Sequence, residues 1–421
     1  MTKLHLSATT LKFLLAARQS QLHGLEALAT TSVLVGHVSR LVHALQKERG
    51  YSTLFLAGER EEMPAELVQL RHESQEIETD ARRFLEDFKP TALRCADRTR
   101  LLHCISYALY RLDGAPDLRW QVRERKLPAQ EVGNRFTRVI ACLLSLVFEA
   151  ADSALDPGVT RILVALFNFM QGKELSGQER ALGVMGYRAG YCRQDSKERL
   201  LDLVDGQRRA FGIFVQYADE QTLPMWQDIQ QASDPMRQLR EILLKTSPAE
   251  TLNTELADLW YDACTARIDA MRGIEQHLTK MLVLQCQKRI AQSQEELSDH
   301  QLLLSRFVDD AGDGEFATIF NIQHRPIEEP LQDGLAHDME RSILDMLRAQ
   351  TANMQRASSE LALLRGTLDE RRLIEQAKWV LVSQHGLSEQ AAHERVLRIA
   401  MDHGVTLGEV ARRILSSTVP A

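Results

Sequence analysis

Residues Val38–Leu56 read VSRLVHALQKERGYSTLFL. Val38, Val42 and Leu45 recur at spacings of four and three, the period at which side chains stack on one face of an α-helix. Extended by the same steps, the ladder reaches Arg49, Ser52 and Leu56. A guanidinium thus stands on a face whose other members are mostly apolar. Burying it costs free energy unless a partner is supplied. Two partners fit: a carboxylate on a facing helix, or a small oxyanion whose planar oxygens match the guanidinium fork. Arg49, with Ser52 one turn on, is therefore a candidate anion ligand.

The same period runs outward through the chain, and alternating β-branched runs bounded by turn residues are almost absent. No proline falls between Pro157 and Pro224, Pro248 and Pro326, or Pro330 and Pro420. A proline inside a helix costs about 3 kcal/mol, so these gaps permit long helices. Start signals stand at Asp156-Pro157, at Ser233-Asp234-Pro235 and at Ser247-Pro248-Ala249-Glu250. Turn-rich breaks fall near Gly58–Pro64, Lys89–Pro90, Gly114–Pro116, Asp152–Gly158 and Tyr217–Pro224. The fold class is all-α. Helices of this length between such breaks suit antiparallel bundles, two of four helices each in the N-terminal part.

Composition limits what such a fold does. The 421 residues carry a net charge of −7, which argues against coating nucleic acid through bulk positive charge. The longest apolar run, Val139–Phe148, is interrupted by Ser145 and is too short for a bilayer, so no membrane association is expected. The N-terminus lacks the apolar core and cleavage site of a signal peptide. Cys95, Cys104, Cys142, Cys192, Cys264 and Cys286 show no metal spacing and read as reduced thiols of a cytoplasmic protein. No P-loop, H-E-x-x-H or G-x-S-x-G motif occurs, and no Glu-x-x-His pair of the kind that builds di-iron bundles. Neither an enzyme nor a cofactor or metal is expected.

Three further arginines join Arg49. Gln178-Glu179-Arg180-Ala181 followed by Gly183 repeats the pattern of Glu48-Arg49-Gly50 followed by Ser52, which marks Arg180 and suggests duplicated bundles. Arg237 falls in the first turn of the helix that begins at Ser233-Asp234, where negative groups are preferred, with Arg240 one turn further on. An anion held there by exposed amides accounts for such a cation; plain surface charge is the alternative.

Beyond these bundles the stretch 309–336 holds Gly312, Gly314, Pro326 and Pro330 and reads as a flexible linker; its Asp-rich start lacks the final carboxylate of a calcium loop. In 337–367 a heptad follows, Ile343, Gln350, Ala357 and Leu364 at one position and Leu347, Met354, Leu361 and Leu368 at the other. Such a seam packs on a second long helix, in a homodimer through 343–368 or within one chain. Residues 368–417 make three short helices. The first closes at Gly386, the second is capped by Ser388, and the third by Thr406 with Glu409 as a capping box.

The C-terminal stretch resembles the ANTAR domain, an RNA-binding antitermination module, through Arg372, Ile374, Ala377-Lys378, Leu381, Gly386-Leu387-Ser388, Ala391-Ala392, Arg395, Arg398, Ala400, Leu407, Val410-Ala411 and Ile414-Leu415. The resemblance implies RNA binding. The basic groups that would serve it are Arg372, Lys378, His393, Arg395, Arg398, Arg412 and Arg413, although the net charge from Arg365 onward is only about +1. Trp379 stands where the family favours glycine. Exposed, it would stack on a base; otherwise it fills the core.

Residues 30–308 resemble the NIT domain, a helical nitrate- and nitrite-sensing module. The marks are Gln46-Lys47-Glu48-Arg49-Gly50-Tyr51-Ser52 with Phe55-Leu56, Glu174 with Gly177-Gln178-Glu179-Arg180-Ala181, and Trp260 with Thr265-Arg267-Ile268-Asp269. Together the two resemblances imply a nitrate-responsive antitermination regulator. Nitrate or nitrite would be its signal and hairpin loops of a leader RNA its target, with Arg49, Ser52, Arg180, Arg237 and Arg240 as candidate nitrate ligands. The competing reading is a DNA-binding helix-turn-helix regulator with a small-anion sensor. Against it, the presumed recognition helix opens Leu407-Gly408-Glu409-Val410, with one acidic side chain where base-reading groups belong. A bare coiled-coil scaffold leaves Arg49 without a reason.

Overall fold

A computed structural model describes residues 8–58, 62–88, 98–154, 156–247 and 253–310 of an N-terminal unit. In a C-terminal unit it describes 356–364, 366, 369, 372–384, 386–387, 391–392, 395–396, 398–400 and 407–416. The two units divide at Arg348/Ala349. Every element among these residues is an α-helix.

The N-terminal unit begins with α1, Ala8–Ala57, a helix of 50 residues that starts well ahead of residue 30. Its ladder lies inside: Val38, Val42, Leu45, Arg49 and Ser52 are all at most 3% exposed. Gly58 ends it, its amide bonding to the carbonyls of Leu54 and Phe55. After Pro64 comes α2, Ala65–Asp87, then α3, Arg98–Asp113, α4, Ala115–Arg123, and α5, Ala129–Ser153. In this first bundle α1 packs on α2 and α5, and α5 on α3.

The second bundle is organised by α6, Pro157–Arg188, which is buried around most of its circumference. A helix with apolar residues on all sides belongs in the middle of a structure. Asp156 caps it as the sequence indicates, accepting from the Val159 amide at 3.0 Å. Around it stand α7, Gln194–Tyr217, the short pair α8, Thr222–Ala232, and α9, Asp234–Lys245, and the 55-residue α10, Leu256–Asp310. The bundles meet where α1 and α5 pack on α6 and α1 packs on α10.

Two helix starts differ from the sequence expectation. Ser233 makes no cap; its hydroxyl turns back to the Ile229 carbonyl at 2.6 Å, because α9 follows α8 almost without a break. The run expected to start at Ser247-Pro248 begins instead at Leu256, behind a turn in which Asn253 Oδ1 accepts from the Glu255 amide at 2.9 Å. Of the linker, Asp309 and Asp310 end α10 and the rest lies outside the described residues. So do heptad positions Ile343, Leu347, Gln350, Met354 and Leu368, while Leu361 and Leu364 are buried in helical residues 356–364.

In the C-terminal unit, helical residues 372–384, 391–400 in part and the helix Leu407–Ser416 surround Leu381, Ala392, Val396, Ala400 and Val410. Gly386, at φ +62°, takes the left-handed conformation that ends the first of these helices.

Candidate functional site

Where α1 crosses α6, two arginines lie inside the protein, Arg49 1% exposed and Arg180 fully buried. Each helix meets the other's arginine over a glycine. A Cβ on Gly50 would collide with the Arg180 guanidinium, and one on Gly177 with that of Arg49. The small residues beside the two Glu-Arg pairs are thus what permits the crossing.

The Arg49 guanidinium donates from Nη1 to Thr137 Oγ1 on α5 at 2.8 Å and to Glu174 on α6, and from Nη2 to Glu174 Oε2 at 3.1 Å. Of the two partners that the sequence allows for this cation, the facing carboxylate is present. Glu174 also accepts from Gln46 Nε2 at 2.9 Å and Gln178 Nε2 at 3.0 Å.

Arg180 is different. Its Nη1 donates to Thr265 Oγ1 at 2.8 Å, its Nη2 to the Gln46 carbonyl at 2.9 Å, and its guanidinium lies 5.0 Å from the Tyr261 ring centroid. No ion pair with a carboxylate is formed among the described residues. Arg49 Nε, Arg180 Nε, Ser52 Oγ and Gln46 Oε1 are all buried at this crossing without a hydrogen-bond partner. Three of the four can donate, which suits a small acceptor with several oxygens.

The neighbouring electrostatics have the same sign. His43 accepts from Lys173 at a 3.0 Å separation, and its pKa is lowered to about 2, by burial first and then by Lys173, Arg272, Lys47 and Arg180. Lys173 and Arg272 share Glu275, at 2.7 Å and 3.0 Å.

The glutamates of the two Glu-Arg pairs serve the bundles rather than the crossing. Glu48 is held by Arg119 at 2.9 Å and Ser74 at 2.5 Å; Glu179 is held by Arg240 at 2.5 Å and Gln207 at 2.6 Å. The parallel extends to the arginines, since Arg49 meets Thr137 and Arg180 meets Thr265. The repeat read from Glu48-Arg49 and Glu179-Arg180 thus has matching surroundings in both bundles.

Arg237 and Arg240 stand apart from Arg49. Arg237 is half-exposed, paired with Asp234 and bonded to the Gln230 carbonyl at 2.9 Å, so its own helix supplies the negative group expected at that N-terminus. Both line a cleft of about 380 Å³ with Arg208, Arg267, Phe211 and Trp226. Glu179, which holds Arg240, adjoins Arg180 in α6 and is the link between cleft and crossing. Sequence reasoning passed over Thr137 and Tyr261, which carry no local signal, and gave no site role to Glu174 or Gln46. The signal for Glu174 is its place on α6 one turn before Gln178, in a helix too apolar to hold a carboxylate without a cation.

In the C-terminal unit Arg395, Arg398, Arg412 and Arg413 are exposed. Lys378 is paired with Glu375 at 2.8 Å, and Arg372 lies 3.6 Å from Asp369. Trp379 is 68% exposed, so the core-filling alternative does not hold. His393 lies outside the described residues.

These features define a class, a long helical bundle protein with a donor-rich buried crossing, followed in the chain by a compact helical module with exposed arginines. Comparison with known proteins narrows it. A family described as nitrate and nitrite sensing, NIT, matches residues 40–283, and the ANTAR domain matches 362–415. The nitrate regulatory protein of Klebsiella oxytoca is 32% identical over 401 residues, 95% of this chain and 93% of that protein. The solved structure of the NasR transcription antiterminator is similar at TM-score 0.58 and 31% identity, over 95% of this chain and 97% of that one. The chain belongs to the family of nitrate-responsive transcription antitermination regulators that join a NIT to an ANTAR domain. No described helix is long and apolar enough to cross a membrane.

Proposed function

We propose that the α1–α6 crossing is the nitrate seat, with Arg49 and Arg180 as its two cations and Ser52 as a third donor. The observation that carries this is Arg180, a fully buried guanidinium that forms no ion pair with a carboxylate among the described residues. Such a charge costs several kcal/mol to bury, and a bound anion supplies what the protein does not. Nitrite, planar and singly charged, uses the same donors. Arg240 acts on the seat through Glu179, and Arg237 acts from the cleft beyond it.

Nitrate bound here shifts an equilibrium toward a state in which the ANTAR module is free to bind hairpin loops of a leader RNA and prevent termination. Exposed Arg395, Arg398, Arg412 and Arg413 contact phosphates, with Arg372, Lys378 and His393 in support. Trp379 stacks on an unpaired base. The heptad positions of 343–368 join two copies. A regulator that acts on nascent transcripts operates in the cytoplasm, which is the compartment this reading assigns.

The reading is tested by titrating nitrate and nitrite into the full chain by calorimetry. Wild type should bind one ion per chain, and Arg49→Ala and Arg180→Met should bind none. Wild-type affinity in both folded variants would move the seat elsewhere.

A further inference from the structure

Glu174 is built into the crossing and is not a stray carboxylate. It is 2% exposed, and its two oxygens accept four hydrogen bonds, two from Arg49 and one each from Gln46 and Gln178. A carboxylate on the guanidinium fork has the planar paired oxygens that nitrate also presents. Glu174 sits on the Arg49 fork, and Gln46 links it to the second arginine, its side chain donating to Glu174 and its carbonyl accepting from Arg180. The fixed negative charge acts on any anion held among these donors, and twice as strongly on a divalent one. Glu48 and Glu179 are balanced by Arg119 and Arg240. The Lys173–Glu275–Arg272 cluster adds a positive background that the Glu174 substitutions leave in place.

From this geometry we propose that Glu174 is a specificity-determining residue, whose carboxylate on the Arg49 fork restricts the seat to singly charged oxyanions and excludes sulfate and its like. The proposal rests on the reading of the crossing as the nitrate seat. It is a statement about charge rather than shape, and that gives it a particular signature. The repulsion between a fixed charge and a ligand scales with the ligand's charge. Removing Glu174's charge therefore multiplies nitrate affinity by some factor and sulfate affinity by about the square of that factor. A merely structural role would change both by the same factor.

The experiment titrates nitrate and, separately, sulfate into the full chain by calorimetry at constant ionic strength, for wild type, Glu174→Gln and Glu174→Asp. Wild type should take nitrate and bind sulfate measurably but far more weakly, in a competition titration against nitrate. Glu174→Gln keeps size but not charge, and turns one of the two accepting oxygens into a donor; a loss from that change falls on both ions alike, while the charge effect should favour sulfate over nitrate by about tenfold. Glu174→Asp keeps the charge and should preserve the nitrate-to-sulfate ratio even if both bind less tightly. Equal factors for the two ions in Glu174→Gln would overturn the proposal, as would loss of sulfate exclusion in Glu174→Asp. Sulfate binding to wild type as tightly as nitrate would overturn it with no variant at all, which covers a Glu174→Gln chain that fails to fold. Nitrate binding that survives Arg49→Ala would instead remove the seat on which the proposal stands.

Discussion

Arg49 and Arg180 look alike in the sequence but differ in what they leave behind when removed. Arg49→Ala strands the buried carboxylate of Glu174, and breaking a buried pair by removing one partner costs about 3–5 kcal/mol. Arg180→Met strands no carboxylate but gives up the bonds to Thr265 and the Gln46 carbonyl, so it should cost less stability in chemical denaturation than Arg49→Ala while still removing nitrate binding. A loss as large as that of Arg49→Ala would contradict this difference. Gly177→Ala should also weaken nitrate binding, since its Cβ displaces the Arg49 guanidinium, with about 1–3 kcal/mol of destabilisation from overpacking. His43 supplies a pH test. Its pKa is about 2 in the fold against 6.5 as a free group, so below 6.5 the unfolded chain binds a proton that the folded chain refuses. The stability it contributes is complete above pH 6.5 and declines as pH falls toward 2, by up to about 1.4 kcal/mol per pH unit. Denaturation midpoints measured between pH 7 and 5 should therefore fall more steeply for wild type than for His43→Asn. Parallel slopes would show that burial and the surrounding cations do not keep the ring neutral.

At the scale of elements, what was legible was periodicity. The ladder Val38–Val42–Leu45–Arg49–Ser52 in α1 lies on one buried face, as its spacing requires. Asp156 starts α6 and Gly386 closes its helix where cap chemistry places them. What was not legible depended on neighbours. Ser233 has the composition of a cap but spends its hydroxyl on the previous helix. Arg49 on its own could not declare whether a carboxylate or an anion awaited it, because Glu174 is 125 residues away and only folding brings it near. Trp379 was ambiguous for the same reason, and its exposure now yields an outcome. Trp379→Ala should leave the melting temperature unchanged and weaken binding to a leader-RNA hairpin by about 1–3 kcal/mol. A buried tryptophan would instead lose stability. Arg395→Ala, Arg398→Ala and Arg412→Ala should each reduce the salt dependence of RNA binding by about one ion. Wild-type salt slopes in all three would remove the phosphate contacts assigned to them.

At the scale of the whole molecule, sensing and RNA binding reside in separately cored units, the division lying at Arg348/Ala349. The C-terminal unit has its own core of Leu381, Ala392, Val396, Ala400 and Val410. A fragment from Arg341 onward should therefore bind leader RNA without nitrate. The free energy of switching is limited. Moving a population from about 1:99 to 99:1 needs about 5.5 kcal/mol of differential binding, a large demand on a four-atom ligand, so a partial switch assisted by RNA is expected. Nitrate at the α1–α6 crossing is expected to control RNA binding, and a mobility shift of a two-hairpin leader RNA by the full chain, with and without nitrate, for wild type and Arg180→Met, reads that control. Nitrate should tighten binding by wild type and leave the variant unmoved. Equal affinities of wild type in both conditions, or a variant that responds as wild type does, would contradict the account.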